Sequence, residues 1–126
     1  MPKRIFISFA VPEDNRYRDF LVGQSKNKNS PFEFYDMSVK NPYLNSWKTQ
    51  CRSKIKGCDG LIALVSKDTK NSDGALWEIK CANDEGIPVL GVLVTRENKG
   101  NLPIELKDNE IIFWIWDEIA QFINSL

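Results

Sequence analysis

The sequence contains no histidine, and none of its three cysteines lies in a Cys-x-x-Cys pair. Histidine-dependent catalytic triads are therefore excluded, and a zinc site of ordinary ligand spacing has no residues to form it. We expect no metal site. The three thiols, Cys51, Cys58 and Cys81, are expected to be free and mostly buried.

Charge and hydropathy also remove several classes of function. The chain has 17 basic and 17 acidic residues, so no positive surplus is available to attract nucleic acid. No apolar run approaches the roughly 20 residues that cross a bilayer. The segment Met1–Phe9 enters a strand at once, without a signal peptide's cleavage region. We therefore expect one cytoplasmic domain over residues 1–126, without membrane or nucleic-acid partners.

Two common phosphate-binding devices are missing, because neither Gly-x-Gly-x-x-Gly nor Gly-x-x-x-x-Gly-Lys follows a strand. Ser8, Phe9 and Ala10 stand where a magnesium-dependent phospho-receiver would carry acidic residues. Ser8 also lacks a histidine base and a Gly-x-Ser-x-Gly elbow. Hydrogen bonding is therefore its expected use.

Nearly continuous apolar runs predict five strands, over Arg4–Phe9, Phe32–Tyr35, Gly60–Val65, Ile87–Val94 and Ile111–Phe113. Four helices are predicted between and after them: one capped by Asp14, one over about 46–56 with Cys51 in the core, one capped by Asp73, and a last one that buries Ile115, Ile119, Phe122 and Ile123. This alternation predicts an α/β fold, a doubly wound five-stranded parallel sheet of flavodoxin-like order 2-1-3-4-5. Two-sided burial is expected for Ile5, Ile7, Ile62, Leu64, Val89 and Val92.

Glu78 lies on the helix that follows the third strand, near the sheet edge where α/β proteins bind ligands. Helical geometry directs Ala75, Ile79, Ala82 and Asn83 to the core, and it places Glu78 on the flank, about 40° from Ala82. No basic residue lies at i±3 or i±4 to form a salt bridge. A solvated glutamate is the commonest outcome at such a position. We accordingly expect Glu78→Gln to cost about 0.5 kcal/mol or less in stability.

Four stretches in order carry a family resemblance: Arg4–Phe9, Asp36–Pro42, Lys56–Ser66 and Ala75–Ile79. Together they resemble a TIR-like domain of the small prokaryotic branch that includes the TIR-like proteins of Thoeris antiphage defence. The resemblance implies five parallel strands and cleavage of NAD at its nicotinamide N-glycosidic bond, which gives ADP-ribose or a cyclic isomer. That nucleotide would signal to an effector protein. NAD would be the substrate, without a further cofactor, and self-association of the domains is implied too.

The same resemblance implies roles for individual residues. The family's catalytic glutamate carries over onto Glu78, and its mobile loop onto Asp36–Tyr43. A single carboxylate near the ribose can stabilise the positive charge that develops as nicotinamide departs. Trp47 also lies on the apolar stripe of its helix, where packing is the more frequent role. The implied substrate-binding positions are Ser8, Phe9, Ala10, Asp36, Ser38, Trp47 and Trp77.

Two other functions are compatible with the sequence. A noncatalytic TIR-like adaptor would act by self-association, with Glu78 facing open solvent. A nucleoside-processing enzyme similar to deoxyribosyltransferases would need further polar residues near Glu78, for which Asp36 and Asn83 are the available choices.

Overall fold

The computed structural model describes residues 3–11, 13–27, 32–36, 47–95 and 102–126. The strands are β1 (Arg4–Ser8), β2 (Glu33–Tyr35), β3 (Gly60–Val65), β4 (Val89–Leu93) and β5 (Glu110–Phe113). The α-helices are α1 (Asn15–Asn27), α2 (Trp47–Lys56), α3 (Asp73–Asp84) and α4 (Trp116–Asn124). Short 3-10 helices cover Thr69–Asn71 and Ile104–Leu106.

The five strands form one parallel sheet of order β2-β1-β3-β4-β5. This confirms the predicted α/β fold and strand order. Ser8, the last residue of β1, lies beside Ala63 of β3. Since parallel strands end at the same edge, the segments after β1, β3 and β4 meet there, and this edge carries the polar side chains described below.

Helices cover both faces of the sheet, so each strand contributes alternately to two cores. One core joins β1, β3 and β4 to α1 and α4 through Ile7, Leu21 and Ile119, among others. The other joins the same strands to α2 and α3 through Phe6, Ile55 and Ile79. The predicted two-sided burial is confirmed, with relative exposures of 0–6% for Ile5, Ile7, Ile62, Leu64, Val89 and Val92.

Several local predictions were wrong. Five residues of the predicted strands lie just outside the observed ones: Phe9, Phe32, Ile87, Pro88 and Val94. Ser72 caps α3, since its extended backbone lets Oγ accept from the Ala75 amide at 3.4 Å, and the predicted cap Asp73 is the first helical residue.

Two residues predicted to be buried are exposed. Asn83, in the last turn of α3, turns to the segment after β4, where its amide donates to the Glu105 carbonyl and exchanges hydrogen bonds with Asn109. Ile115 is 48% exposed because it precedes α4 as the N-cap residue, outside the helical periodicity. The three cysteines form no disulfide and are buried, as predicted.

Within the described ranges, no helix combines the length and apolar character needed to cross a membrane. The same residues contain no group of three or more cysteine or acidic side chains arranged to hold a metal ion.

Candidate functional site

The carboxylate of Glu78 meets the end of β1 inside the protein. Glu78 is 1% exposed, and Ser8 is equally buried. The Ser8 hydroxyl donates to Glu78 Oε1 at 2.9 Å and also lies 3.3 Å from the Ala75 carbonyl oxygen. A hydroxyl carries one proton, so the shorter contact to the charged oxygen dominates. The predicted hydrogen-bonding use of Ser8 therefore has a definite partner, which is Glu78.

The second carboxylate oxygen faces α2. The thiol of Cys51, which is 0% exposed, donates to Glu78 Oε2 over 3.7 Å. Cys51 also packs in the α2–α3 core, as predicted from its place on the apolar stripe. The two oxygens of Glu78 thus receive donors from two elements, β1 and α2, while Glu78 itself belongs to α3.

These contacts exclude a solvated Glu78, the commonest outcome for a glutamate at such a position. The flank of α3 that carries Glu78 is covered because α3 packs against α2 as well as against the sheet. Helical periodicity identifies the side that faces the sheet, and it does not identify a neighbouring helix that covers the flank. Substitution of Glu78 is consequently a change in the protein interior.

Burial also sets the ionisation of the neighbouring thiols. Burial raises the pKa of Cys81, the next turn along α3, and the negative charge of Glu78 acts in the same direction. Burial raises the pKa of Cys58 to about 11. Both thiols therefore stay protonated at neutral pH and are poor nucleophiles.

Two tryptophans pack together beside this site. The rings of Trp47 and Trp77 meet edge to face at 5.4 Å, partly buried against the α2–α3 core. Lys48 Nζ lies 5.9 Å from each ring centroid. The Arg52 guanidinium lies 5.6 Å from the Trp77 ring and forms an ion pair with Glu85 at 2.7 Å. Trp77 thus packs against α2. Contact of either ring with substrate stays a prediction.

The turn after β1 and the end of β2 are joined through α1. Phe9 and Ala10 are 2% and 1% exposed. The Arg18 guanidinium lies 5.5 Å from the Phe9 ring and pairs with Asp36 at 3.1 Å. Substrate binding by Phe9, Ala10 and Asp36 stays a prediction. Ser38 and the rest of the loop to residue 43 lie outside the described residues.

A second polar cluster at this sheet edge was not predicted. The buried carboxylate of Asp14, read from the sequence only as a helix cap, accepts from Ser66 Oγ at 2.5 Å. Thr69 Oγ1 accepts from the Ser66 amide at 2.8 Å, and Ser66 Oγ accepts from the Asp68 amide at 3.0 Å. Burial raises the pKa of Asp14, and the Ser66 hydrogen bond opposes this rise. The polar run directly after a buried strand was the available sequence signal.

Comparison with known proteins places the chain among TIR-like folds. The family model described as "Thoeris protein ThsB, TIR-like domain" matches residues 6–99, a range that contains Ser8, Cys51 and Glu78. No curated protein matches the sequence.

Two solved structures are similar over nearly the whole chain. The crystal structure of a prokaryotic SEFIR domain has a TM-score of 0.64 and 17% identity, covering 96% of this chain and 92% of that one. The CMP N-glycosidase BcmB of Clostridium botulinum has a TM-score of 0.56 and 18% identity, covering 98% and 100%. At such identities these likenesses show the fold alone.

Proposed function

We propose that this chain, which belongs to the ThsB family of TIR-like domains, is an enzyme that cleaves NAD at the nicotinamide N-glycosidic bond. The catalytic residue is Glu78, and the products are nicotinamide and ADP-ribose or a cyclic ADP-ribose isomer. The nucleotide product signals to an effector protein in antiphage defence. The observation that supports the proposal is the buried Glu78 carboxylate near the carboxyl edge of the sheet, with a donor on each oxygen.

The chemistry needs one negative charge and no metal. In NAD the ribose C1′ is bonded to a positively charged pyridinium nitrogen. When this bond breaks, the nitrogen keeps the electron pair and nicotinamide leaves neutral, so positive charge develops on the ribose. The Glu78 carboxylate stabilises this charge, more strongly in a site from which water is excluded. Attack of water on C1′, with release of a proton to solvent, then gives ADP-ribose. Attack by a nucleophile of the same molecule gives a cyclic product, again with release of a proton.

The burial of Glu78 adds a requirement to this mechanism. At 1% exposure, the carboxylate meets a ribose only after the groups that cover it move. We propose that self-association of the TIR-like domain brings about this movement. Turnover should then rise more steeply than in proportion to protein concentration.

The test compares two glutamate substitutions. In Glu78→Gln the charge is lost, so the rate of NAD consumption should fall on the order of 10²-fold to 10³-fold. Glu118→Gln, an exposed change on α4, is the control and should match the wild type. Chromatography and mass spectrometry follow NAD and its products over a range of protein concentrations. Equal rates for wild type and Glu78→Gln would remove Glu78 from the mechanism.

The likeness to a CMP N-glycosidase favours a second candidate, an N-glycosidase acting on a nucleotide such as CMP. The same bond type would break, and Glu78 would again face the ribose. CMP is therefore incubated in parallel with NAD. Release of cytosine without loss of NAD would replace the NAD proposal. If neither is consumed at any concentration, the chain is a noncatalytic adaptor that acts by self-association.

A further inference from the structure

We propose that Cys51 is a positioning residue for Glu78, whose thiol holds Oε2 while the Ser8 hydroxyl holds Oε1. This inference rests on the proposed function, because it assigns Cys51 a part in turnover by Glu78. The Cys51 thiol then has two roles: it fills space in the α2–α3 core, and it donates a hydrogen bond to Glu78.

The geometry shows why two donors matter. The last torsion of a glutamate side chain is broad, so a carboxylate without fixed partners samples many orientations. Ser8 approaches one oxygen from β1 at 2.9 Å, and Cys51 approaches the other from α2 at 3.7 Å. The two elements are separately anchored in the core, so together they restrict rotation of the carboxylate plane. A fixed carboxylate needs less reorganisation as charge develops on the ribose.

The donors also act on the charge of Glu78. Burial of a carboxyl group favours its protonated form, whereas hydrogen bonds donated to the carboxylate favour the charged form. The Ser8 hydroxyl and the Cys51 thiol carry no charge, so they stabilise the charged form of Glu78 without cancelling its negative charge. A further titratable group that interacts with Glu78 is Cys81 of α3, whose thiol the carboxylate helps to keep protonated.

Two substitutions at Cys51 and one control separate this role from packing. Cys51→Ala removes the donor and the sulfur volume, and Cys51→Ser restores a donor. Cys58→Ala removes a sulfur from the same core cluster and serves as the matched control. We expect kcat for NAD to fall about tenfold in Cys51→Ala, the loss of one hydrogen bond to a charged group, with KM changed less than about twofold. Cys51→Ser should recover part of the loss, and Cys58→Ala should stay within about twofold of wild type.

A second measurement does not depend on turnover. The carboxyl carbon of Glu78 is followed by ¹³C NMR during a pH titration, and its resonance is assigned by its absence in Glu78→Gln. The midpoint should rise in Cys51→Ala, because the charged form of Glu78 loses a donor. It should return toward the wild-type value in Cys51→Ser and stay unchanged in Cys58→Ala. If Cys51→Ala does not fold, Cys51→Val, which also lacks a donor, takes its place in both measurements.

The outcomes separate the two proposals. A Cys51→Ala midpoint equal to that of Cys58→Ala overturns the role of Cys51, whatever the turnover. A raised midpoint with a kcat equal to that of Cys58→Ala also overturns it, because the hold on the carboxylate would have no catalytic effect. A raised midpoint in a protein that never consumes NAD confirms that Cys51 holds Glu78 and refutes the proposed function instead.

Discussion

Ser8→Ala is the most direct test of the buried contact between β1 and α3. The substitution removes the hydroxyl that donates to Glu78 Oε1 at 2.9 Å, in a place where both residues are 1% exposed. A hydrogen bond to a charged group contributes about 1.5–3 kcal/mol. We therefore expect the free energy of unfolding at pH 7 to fall by about 2–3 kcal/mol.

Ser25→Ala is the matched control for this loss. Ser25 is 2% exposed, but its hydroxyl donates to the carbonyl of Val22 within α1, at 2.8 Å. That acceptor is a neutral helix carbonyl, and alanine has the higher helix propensity. Its substitution should change the free energy of unfolding by no more than about 1 kcal/mol.

Guanidinium and thermal unfolding, followed by the fluorescence of the four tryptophans, measure both variants. For a chain of this length about 1 kcal/mol corresponds to roughly 4 °C in Tm, so Ser8→Ala should melt about 8–12 °C below wild type. Equal losses for Ser8→Ala and Ser25→Ala would show that the Glu78 carboxylate does not depend on the Ser8 hydroxyl, and the site geometry would then be wrong.

Three further predictions concern stability. Burial raises the pKa of Asp14 above its ordinary 3.8, so the folded state binds the carboxyl proton more tightly than the unfolded state does. The resulting stabilisation of the folded state is present below about pH 3.8. It is lost as the pH rises through the folded-state pKa. Urea unfolding between pH 3.5 and 6 should therefore show a smaller fall of the free energy of unfolding with pH in Asp14→Asn than in wild type. An equal fall in both proteins would assign the pH dependence to other groups. Gly91→Ala places a Cβ 2.5 Å from Ile111 Cδ1 and should cost about 1–3 kcal/mol. Gly23→Ala on α1, with no atom within 4 Å of the new Cβ, should stabilise the protein by about 0.5–1 kcal/mol. Chemical unfolding measures both glycine variants. A Gly91→Ala variant as stable as wild type would show that Ile111 moves aside freely.

Local periodicity predicted the elements well and the ends of the helices poorly. Ile119 and Ile123 are buried as the spacing of α4 required, whereas Ile115 precedes the helix and is exposed. Asn83 was assigned to the core by helical angle, but it lies in the last turn of α3 and its side-chain amide donates a hydrogen bond to Asn109. Periodicity describes a residue within a continuing helix, and it carries no information about what lies beyond the last turn.

The sequence by itself determined the sheet. Runs such as Gly60–Val65 are apolar at every position, and a strand of that kind is stable only when both of its faces are covered by helices. Parallel strands joined through helices follow from that pattern. None of these conclusions requires knowledge of a contact between distant residues.

Only the tertiary structure decided what surrounds Glu78. Two residues that donate to it, Ser8 and Cys51, lie 70 and 27 residues away along the chain. Each was interpreted correctly as a separate residue, a hydrogen-bonding serine and a buried cysteine, but neither interpretation contained a partner. Hydrogen-bond partners of this kind depend on how α2, α3 and β1 pack together, and helical angle alone placed Glu78 at the surface. The packing of α2 against α3 converts a flank position into a buried carboxylate.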